Sequence, residues 1–366
     1  MALSIMVADA GVLRDRSPDG WTRQIELTVA VQDPSLWNPL AQRLEAALAF
    51  LTGDIWSIDF IPGGEEFPGP RRPVRSPADA VMLLSGGLDS LIGGIDLSAD
   101  GRVLLPVSQT VRGDADKQVQ FARAIGAAGR HLQLNHNVST PRATKETSSR
   151  ARSLIFLAFA VLAATSTEAH RAGGTVPLYL CENGFIAMNP PMTAARIGSL
   201  STRTAHPEFL GRMQEVLAAL GLNVAIENPY RYQTKGEMMN ACADQSLLQR
   251  LAVESTSCGR FQRFGYRHCG RCVPCQIRRA SFLAWARPDT TDYVYRDLAL
   301  RNSDHAHFDD VRSVGIAIAT VAESGLDRWL GTGLGSPYVA DRAQYRSMLE
   351  RGLTELANLH ASLRIL

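Results

Sequence analysis

The chain contains 366 residues, of which 45% are hydrophobic and 20% are charged, and its formal net charge is +2. A chain of this length can bury a large core, and we expect it to divide into two or three lobes. The small net charge argues against recognition of nucleic acid or a membrane surface through a field of one sign, and the longest apolar run, 154–164, is too short to cross a bilayer.

The first sixty residues predict a small α+β unit. Apolar and polar residues alternate in 25–31 and again in 56–60, as in half-buried strands, and leucines recur at helical spacing within 40–51. The segment 62–77 then contains five prolines, three glycines and three arginines, a composition typical of a linker. We therefore predict an N-terminal unit at 1–62 and a linker at 63–78.

From residue 79 onward, strand and helix patterns alternate along the sequence. The alternation is typical of a parallel sheet covered by helices on both faces, and we predict this fold for residues 79–257. The predicted strands lie at 81–84, 103–107, 131–134, 178–181 and 222–226, and the predicted helices start near 89, 116, 147 and 207. Ligands of such sheets bind beyond the carboxyl ends of the strands. Residues 288–366 predict a helical extension.

The first predicted strand of this sheet leads into a glycine-rich loop and then into a helix. Glycines allow backbone N–H groups to approach an anion closely, the start of the helix favours negative charge, and serines add donors. The loop lacks the lysine of the Walker loop and the third glycine of the dinucleotide fingerprint. It resembles the Ser-Gly-Gly-x-Asp-Ser loop of the PP-loop ATP pyrophosphatases, which implies that ATP is bound and pyrophosphate leaves; a turn without a ligand is the alternative. The candidate ATP-binding residues are Ser85, Gly86, Gly87, Leu88, Asp89 and Ser90.

Four of the six cysteines form a second cluster of functional residues. They are Cys258, Cys269, Cys272 and Cys275. Four thiolates complete the tetrahedral shell of Zn²⁺ and leave no open position, so we predict a structural zinc module at 258–287; an iron–sulfur cluster and a pair of disulfides are the alternatives. No signal-peptide pattern opens the sequence, and we expect a cytoplasmic protein with reduced cysteines. We expect His268 at the surface, and Cys181 and Cys242 as buried thiols.

The loop and the cysteines together resemble the 7-cyano-7-deazaguanine synthases, the QueC family, over roughly residues 80–284. Arg152 stands where that family has the arginine of a Pro-Gly-Arg-Asn segment. Glu182 lies in a segment similar to the family's Glu-containing loop, and Glu227 and Lys235 lie in segments similar to its Glu-x-Pro and Lys-x-Glu sequences.

The resemblance implies that ATP adenylates the carboxylate of 7-carboxy-7-deazaguanine and that ammonia then converts it to an amide and a nitrile. Lys235 and Arg152 are candidates for neutralising the negative charge that accumulates on the phosphoryl oxygens. Asp89 is a candidate ligand of Mg²⁺. Glu182 and Glu227 are candidates for contacting the deazaguanine, with Glu182 preferred. For Asp89 the alternative is a helix cap, and for Lys235 it is a solvated lysine beside a capping box.

The segment 110–115 departs from the QueC pattern, because it reads Thr-Val-Arg-Gly-Asp-Ala where the biosynthetic family has Asp-Tyr-Gly-Gln-Arg-His. The departure leaves the ATP chemistry intact and puts ammonia in doubt as the nucleophile. The N-terminal extension and the segment 258–279 look most like the QatC branch of the Qat antiviral defence system. That resemblance implies conjugation of the activated deazaguanine to an amine of a partner protein from the same operon.

Two other functional classes remain open. Arginines alternate with aromatic residues beside the cysteines, as in proteins that bind RNA or single-stranded DNA. A nucleic-acid-binding component of a defence complex is therefore possible, although the same arginines can serve the phosphates of ATP. The residues concerned are Arg260, Phe261, Arg263, Phe264, Tyr266, Arg267, His268, Arg271, Arg278 and Arg279. A non-catalytic ATP-dependent scaffold is the second class, and the intact polar loop argues against it.

Overall fold

The computed structural model describes residues 1–66, 69, 75–136, 138–139, 145–192, 203–299 and 310–365. Much of the linker predicted at 63–78 lies outside these residues. The strands are β1 Gln24–Val31, β2 Ile55–Pro62, β3 Ala80–Leu83, β4 Leu104–Gln109, β5 Leu132–Leu134, β6 Val176–Tyr179 and β7 Val224–Glu227. The helices are α1 Ala2–Gly11, α2 Pro34–Trp37, α3 Ala41–Thr52, α4 Leu88–Ala99, α5 Ala115–Ala124, α6 Arg152–Thr165, α7 Glu168–Arg171, α8 Gly184–Met188, α9 Pro207–Ala219, α10 Lys235–Ala241, α11 Gln245–Leu251, α12 Val273–Ala284, α13 Asp310–Ser324, α14 Leu326–Leu330 and α15 Arg342–Ser362.

The predicted parallel sheet is confirmed. It has five strands in the order β5-β4-β3-β6-β7, and every neighbouring pair is parallel. Strands β3, β4 and β5 therefore follow one another toward one side of the sheet. Strands β6 and β7 then continue from β3 toward the other side. The strand order reverses between β3 and β6, and a crevice opens beyond their carboxyl ends at such a point. The glycine-rich loop follows β3 and Glu182 follows β6, so the topology brings the two segments together.

The faces of the sheet explain why the central strands are continuously apolar. All four residues of β3 are buried, because helices cover both sides of the strand. Val81 points into a cluster that includes Leu157 of α6 and Val216 of α9. Met82, next in sequence, points to the opposite cluster, which includes Phe121 of α5. Successive residues of a strand alternate between faces, so one apolar run serves two cores.

The N-terminal unit is a β1-α3-β2 arrangement whose two strands pair in parallel, with Ile25 beside Trp56. Both strands were predicted, and so was the helix between them. Helix α1 was not predicted; it packs against α6. Ile25 and Trp56 belong to the same buried cluster as Val81. The unit therefore shares its core with one face of the five-stranded sheet.

A network of buried charges joins the N-terminal unit to the start of α6. Arg23 donates to Asp9 and Asp54, with both distances 2.6 Å, and the three side chains are fully buried. The other carboxylate oxygen of Asp9 accepts from the backbone N–H groups of Arg150 and Ala151, each at 2.7 Å. These bonds fix the backbone just before α6. The helix therefore begins at Arg152 and not near residue 147 as predicted.

The C-terminal helices form a third buried cluster with the zinc-module helix α12 and with α8. Helix α15 is the long element of this group, and Leu353 packs in the cluster with Ile277 of α12 and Phe185 of α8. Gly352 allows this approach, because a Cβ atom there would lie 2.2 Å from the Phe185 ring. The helical extension predicted for 288–366 is thus packed against elements that carry the site.

We expect Arg23→Met to lower the free energy of unfolding by about 3–5 kcal/mol, because it leaves the buried carboxylate of Asp9 without its cation. Urea denaturation followed by circular dichroism measures the loss. The matched control is Arg267→Met, which breaks an exposed ion pair to Asp292, and a much smaller effect is expected for it. Equal losses for the two variants would contradict a supporting role for the buried network.

Candidate active site and metal centre

The glycine-rich loop turns sharply between β3 and α4. Gly86 has φ +87°, a conformation that L side chains rarely adopt, and an added Cβ atom would lie 3.2 Å from Asp114. Gly87 is the N-cap of α4, and its N–H donates to the Ser85 hydroxyl at 3.2 Å. The hydroxyls of Ser85 and Ser90 lie 3.1 Å apart. The serines and the first N–H groups of α4 therefore surround one spot, as an anion site requires.

Asp89 is the charged centre of the site. It is buried in the first turn of α4, and one carboxylate oxygen accepts from the ammonium of Lys235. The other oxygen accepts from the side-chain amide of Asn183 at 2.7 Å. Burial opposes ionisation of Asp89, but the Lys235 charge and these hydrogen bonds hold its pKa below the ordinary value. Within the described part of the chain, α4 has no side-chain cap, so the helix-cap alternative for Asp89 is wrong.

Lys235 reaches Asp89 from the first turn of α10. Thr234 and Glu237 form a complete capping box around this turn, which confirms that part of the interpretation. The Lys235 side chain is only 7% exposed, so the solvated-lysine alternative is wrong. The buried ammonium and carboxylate form an ion pair that holds the Lys235 ammonium in a fixed position beside the anion site.

Glu182 is linked to Asp89 through the side-chain amide of Asn183, which donates to Asp89 at 2.7 Å and to Glu182 at 3.4 Å. Desolvation, together with the negative charge of Asp89, raises the pKa of Glu182 well above its ordinary value. Asn228 fixes the backbone of this residue by donating to the Glu182 carbonyl at 2.8 Å. Glu182 therefore ionises less readily than an ordinary glutamate, and a cation bound near the two carboxyl groups would favour its ionised form.

The glycine-rich loop, Asp89, Glu182 and Lys235 line one cavity of about 270 Å³. Its walls include Ser85, Asp89, Glu182, Lys235 and Thr256. A second cavity of about 160 Å³ has more apolar walls, among them Leu83, Phe156 and Leu180. Ser85, Ser90 and Glu182 line both cavities. A polar compartment and a smaller apolar compartment therefore meet at Glu182.

Two predicted site residues lie away from this cavity. The exposed Arg152 is at the start of α6, and with the Gln109 amide oriented to satisfy its neighbours, the Gln109 oxygen accepts from Arg152 Nε and Nη2 at 3.0 Å. Glu227 ends β7, and its side chain is exposed. Neither residue is among the described residues that line the two cavities. Glu227 nonetheless ends β7, and Arg152 contacts Gln109 at the end of β4, so both residues lie at the carboxyl edge of the sheet.

The segment 110–115 connects the loop to the cysteine module. Gly113 has φ +93° and packs against the Tyr266 ring, where a Cβ atom would lie 2.4 Å from Cδ1. Asp114 accepts from the Thr256 hydroxyl at 2.6 Å, and the Thr256 N–H donates to the carbonyl of Gly86 at 3.0 Å. The segment that departs from the QueC pattern therefore contacts Thr256, a residue that lines the cavity.

The four clustered cysteines converge as predicted. Their Sγ atoms all lie within 4.8 Å of one another and are buried. The distances Cys269–Cys275 and Cys258–Cys272 are both 3.9 Å. Sulfurs bound tetrahedrally at 2.3 Å from a zinc ion are about 3.8 Å apart, so the set can hold Zn²⁺. All six cysteines are free thiols, which argues against the disulfide alternative, and a multi-iron cluster needs wider separations.

Backbone amides surround the sulfurs, as in metal sites that need their thiolates stabilised. The N–H groups of Arg260 and Cys269 donate to Cys258 Sγ at 3.4 and 3.3 Å. Hydrogen bonds from the neighbouring thiols, chiefly Cys258, lower the pKa of Cys269. The prediction that His268 lies at the surface is wrong: it is buried, its Nε2 accepts from the Ser257 N–H, and burial near Arg278 lowers its pKa to about 3.

Internal contacts occupy much of the arginine and aromatic cluster near the cysteines. Arg278 is fully buried and donates to Ser255 and Thr291 at 2.9 and 3.1 Å. Arg279 stacks on Tyr293 with 4.1 Å between the guanidinium carbon and the ring centroid. Both guanidinium groups are engaged in contacts within the module, and the fully buried Arg278 is out of reach of a nucleic acid. The contacts therefore weaken the nucleic-acid alternative.

The sequence analysis did not identify three residues of the site. Asn183 and Asn228 hold Asp89 and Glu182, and Thr256 joins the glycine-rich loop to the cysteine module. Asn183 also caps α8 by accepting from the Ile186 N–H at 3.0 Å. An asparagine directly after a predicted strand is a signal that could have identified it.

The fold and the site define an α/β protein with an anion-binding loop at the reversal of strand order, joined to a four-cysteine metal module. Among the described residues, no helix combines the length and apolar character needed to cross a membrane.

The curated proteins that resemble the chain include three named 7-cyano-7-deazaguanine synthase. The protein of Desulfitobacterium hafniense is 25% identical over 240 residues, covering 59% of this chain and 93% of its own length. The proteins of Pseudomonas paraeruginosa and Ectopseudomonas mendocina are each 27% identical, covering 58% and 60% of this chain and 97% and 99% of their own lengths. No family model matches the chain. The similarity supports a relationship to the QueC family and, with it, a PP-loop fold.

We expect protein purified without added metal to contain about one zinc ion per chain, because the four thiolates complete a tetrahedral shell. Elemental analysis by plasma mass spectrometry measures the content. Cys275→Ser should lose the metal, whereas Cys242→Ser, a matched change at a buried thiol outside the cluster, should retain it. Iron in place of zinc, or equal metal content in both variants, would contradict this assignment.

We expect Lys235→Met to destabilise the protein by about 3 kcal/mol or more, because the Asp89 carboxylate then stays buried without its cation. Urea denaturation at neutral pH measures the loss. Adding Asp89→Asn to this variant removes the unpaired charge and should restore part of the stability. A double variant less stable than Lys235→Met alone would show that the two side chains are not coupled.

Proposed function

We propose that this chain is an ATP-dependent enzyme that adenylates the carboxylate of 7-carboxy-7-deazaguanine, or of a related deazapurine, for attack by an amine of a partner protein. A carboxylate oxygen attacks the α-phosphorus of ATP, the bond to the bridging oxygen breaks, and pyrophosphate leaves. The amine nitrogen then attacks the acyl carbon, AMP leaves, and an amine proton passes to solvent. The product is an amide.

The observation that carries this proposal is the convergence of the glycine-rich loop, Asp89, Glu182 and Lys235 on one cavity. The loop N–H groups and the hydroxyls of Ser85 and Ser90 would bind the phosphates of ATP. Lys235 would neutralise charge that develops on the departing pyrophosphate. The names of the relatives support a deazaguanine substrate and not another acyl donor.

The two neighbouring carboxyl groups fit a role for Mg²⁺ beside the phosphates. The negative charge of Asp89 disfavours ionisation of Glu182. A divalent cation removes that repulsion, and carboxylate oxygens are ligands that Mg²⁺ prefers. Asp89 would hold the ion, which supplies charge neutralisation at the phosphates when bound.

The smaller apolar cavity suits a flat heterocycle. Phe156 and Leu180 offer apolar contact, and Glu182 offers one polar group at the boundary with the phosphate compartment. We propose that Glu182 contacts the polar edge of the deazaguanine. We propose that Glu227 and Arg152 contact parts of the substrates that extend along the sheet edge.

The segment 110–115 supports a protein amine in preference to ammonia. In this chain the segment is tied to the cysteine module through Gly113 and Asp114. It therefore joins the glycine-rich loop and Thr256, beside the phosphate cavity, to the cysteine module. We propose that the acceptor is a partner protein encoded in the same operon, acting in antiviral defence, as the resemblance to the QatC branch implies.

The test is incubation of the zinc-loaded protein with ATP, Mg²⁺ and 7-carboxy-7-deazaguanine, with and without ammonia, and with the partner protein. Nucleotide analysis and intact-protein mass spectrometry follow AMP, free deazaguanine products and the partner. We expect AMP and a mass increase on the partner. Asp89→Asn should lower kcat/KM by about a hundredfold, and Asp292→Asn, an exposed carboxylate, should leave it unchanged.

The outcomes separate the two parts of the proposal. Formation of the free nitrile at full rate with ammonia, without labelling of the partner, would reject conjugation. The chain would then catalyse the ammonia-using synthase reaction. Binding of ATP without AMP formation under any condition would reject the enzyme and favour the scaffold alternative.

A further inference from the structure

The C-terminal helix α15 contacts the element that carries Lys235. Glu355 accepts a hydrogen bond from the Thr234 hydroxyl and faces the backbone N–H of Gly236. These two residues flank Lys235 in the sequence. Gly236 has no room for a side chain, since a Cβ atom there would lie 2.5 Å from a Glu355 oxygen. The carboxylate of Glu355 therefore sits directly at the start of α10.

A second residue of α15 holds the other half of the same capping box. Arg351, one helical turn before Glu355, donates to Glu237 at 2.5 Å and to the carbonyl of Tyr232 at 2.8 Å. Residues four apart lie on one face of a helix. One face of α15 thus contacts both Thr234 and Glu237, the two members of the capping box around Lys235.

The same helix also supports the other partner of Asp89. Gly352 of α15 packs against Phe185, and Met348 approaches Gly184, so α15 lies on helix α8. Helix α8 begins directly after Asn183, whose amide donates to Asp89. Lys235 and Asn183 both donate to the Asp89 carboxylate, and the segments that carry them therefore both contact α15.

We infer that Glu355 is a positioning residue for Lys235, and that α15 is an integral part of the phosphate site. Glu355 does not line the described cavity, so its effect passes through the backbone at the start of α10. Without its carboxylate, the first turn of α10 loses a hydrogen-bond acceptor and the ammonium is free to leave Asp89. The consequence for catalysis rests on the proposed function, whereas the consequence for Lys235 itself does not.

Chemical labelling tests the position of Lys235 without any assay of activity. The chain has three lysines, Lys117, Lys145 and Lys235. Lys145 is exposed, Lys117 is partly buried at the neighbouring wall, and Lys235 is buried. Acetylation of the zinc-loaded full chain, followed by peptide mass spectrometry, gives the three rates separately. Lys145 serves as the internal reference and Lys117 reports any general loosening of the site.

We expect Glu355→Ala to raise the labelling rate of Lys235 by about tenfold relative to Lys145, with the rate of Lys117 unchanged. Glu355→Gln, which keeps an acceptor oxygen, should restore much of the protection. Glu350→Ala, a change on the exposed side of the same helix, should have no effect. Unchanged protection in Glu355→Ala, or an equal rise at Lys117, would overturn the inference.

A double-mutant cycle then tests the catalytic consequence. Glu355→Ala should lower kcat for AMP formation by about ten- to a hundredfold in the wild-type background. It should have no further effect in the Lys235→Met background, because the residue it positions is absent. Full additivity of the two substitutions would reject the positioning role. Absence of AMP formation in the wild type would reject the proposed function alone, since the labelling result stands independently.

Discussion

The buried ion pair between Asp89 and Lys235 constrains the whole site. Removing two charges from water costs several kcal/mol for each ion, and the attraction between them offsets this cost only in good geometry with the remaining hydrogen bonds made. Asn183 supplies one of those bonds to Asp89. The pair, once assembled, fixes the position of the Lys235 ammonium beside the loop, so little reorganisation of that group is needed when an anion binds. Three segments far apart in sequence must therefore meet with little freedom.

The local patterns in the sequence predicted the parts of this arrangement that local physics determines. The glycine-rich loop, the capping box around Lys235 and the four-cysteine cluster depend on residues close in sequence, and the structure contains the expected local geometry for each. The parallel sheet was also predictable, because continuous apolar strands alternating with amphipathic helices have few other solutions. Strand ends were less well predicted, and β6, for example, is Val176–Tyr179 and not 178–181.

The features that sequence reasoning missed all depend on contacts between distant residues. The burial of His268 comes from packing against Phe261 and Tyr293, and the late start of α6 comes from a carboxylate on α1. Neither has a signal in the neighbouring sequence. Asp9 is the one charged residue of a mostly apolar helix, and an aspartate is ordinarily a surface residue. Arg23 is 14 positions away and the N–H groups of Arg150 and Ala151 are more than 140 positions away, so periodicity alone cannot identify these partners.

The N-terminal unit and the C-terminal helix α15 each place a carboxylate at the start of a helix that flanks the sheet. Asp9 accepts from the N–H groups just before α6, and Glu355 accepts at the start of α10. Each carboxylate satisfies donors that a helix start leaves unpaired, and each is favoured there by the helix dipole. The helix that begins at each place opens with a basic residue, Arg152 in one case and Lys235 in the other. Residues of the N-terminal unit and of α15 therefore reach the core of the molecule at the helix starts beside the sheet edge. An extension tied in this way cannot be exchanged as an independent docking module, because its removal would leave buried N–H groups and charges without partners.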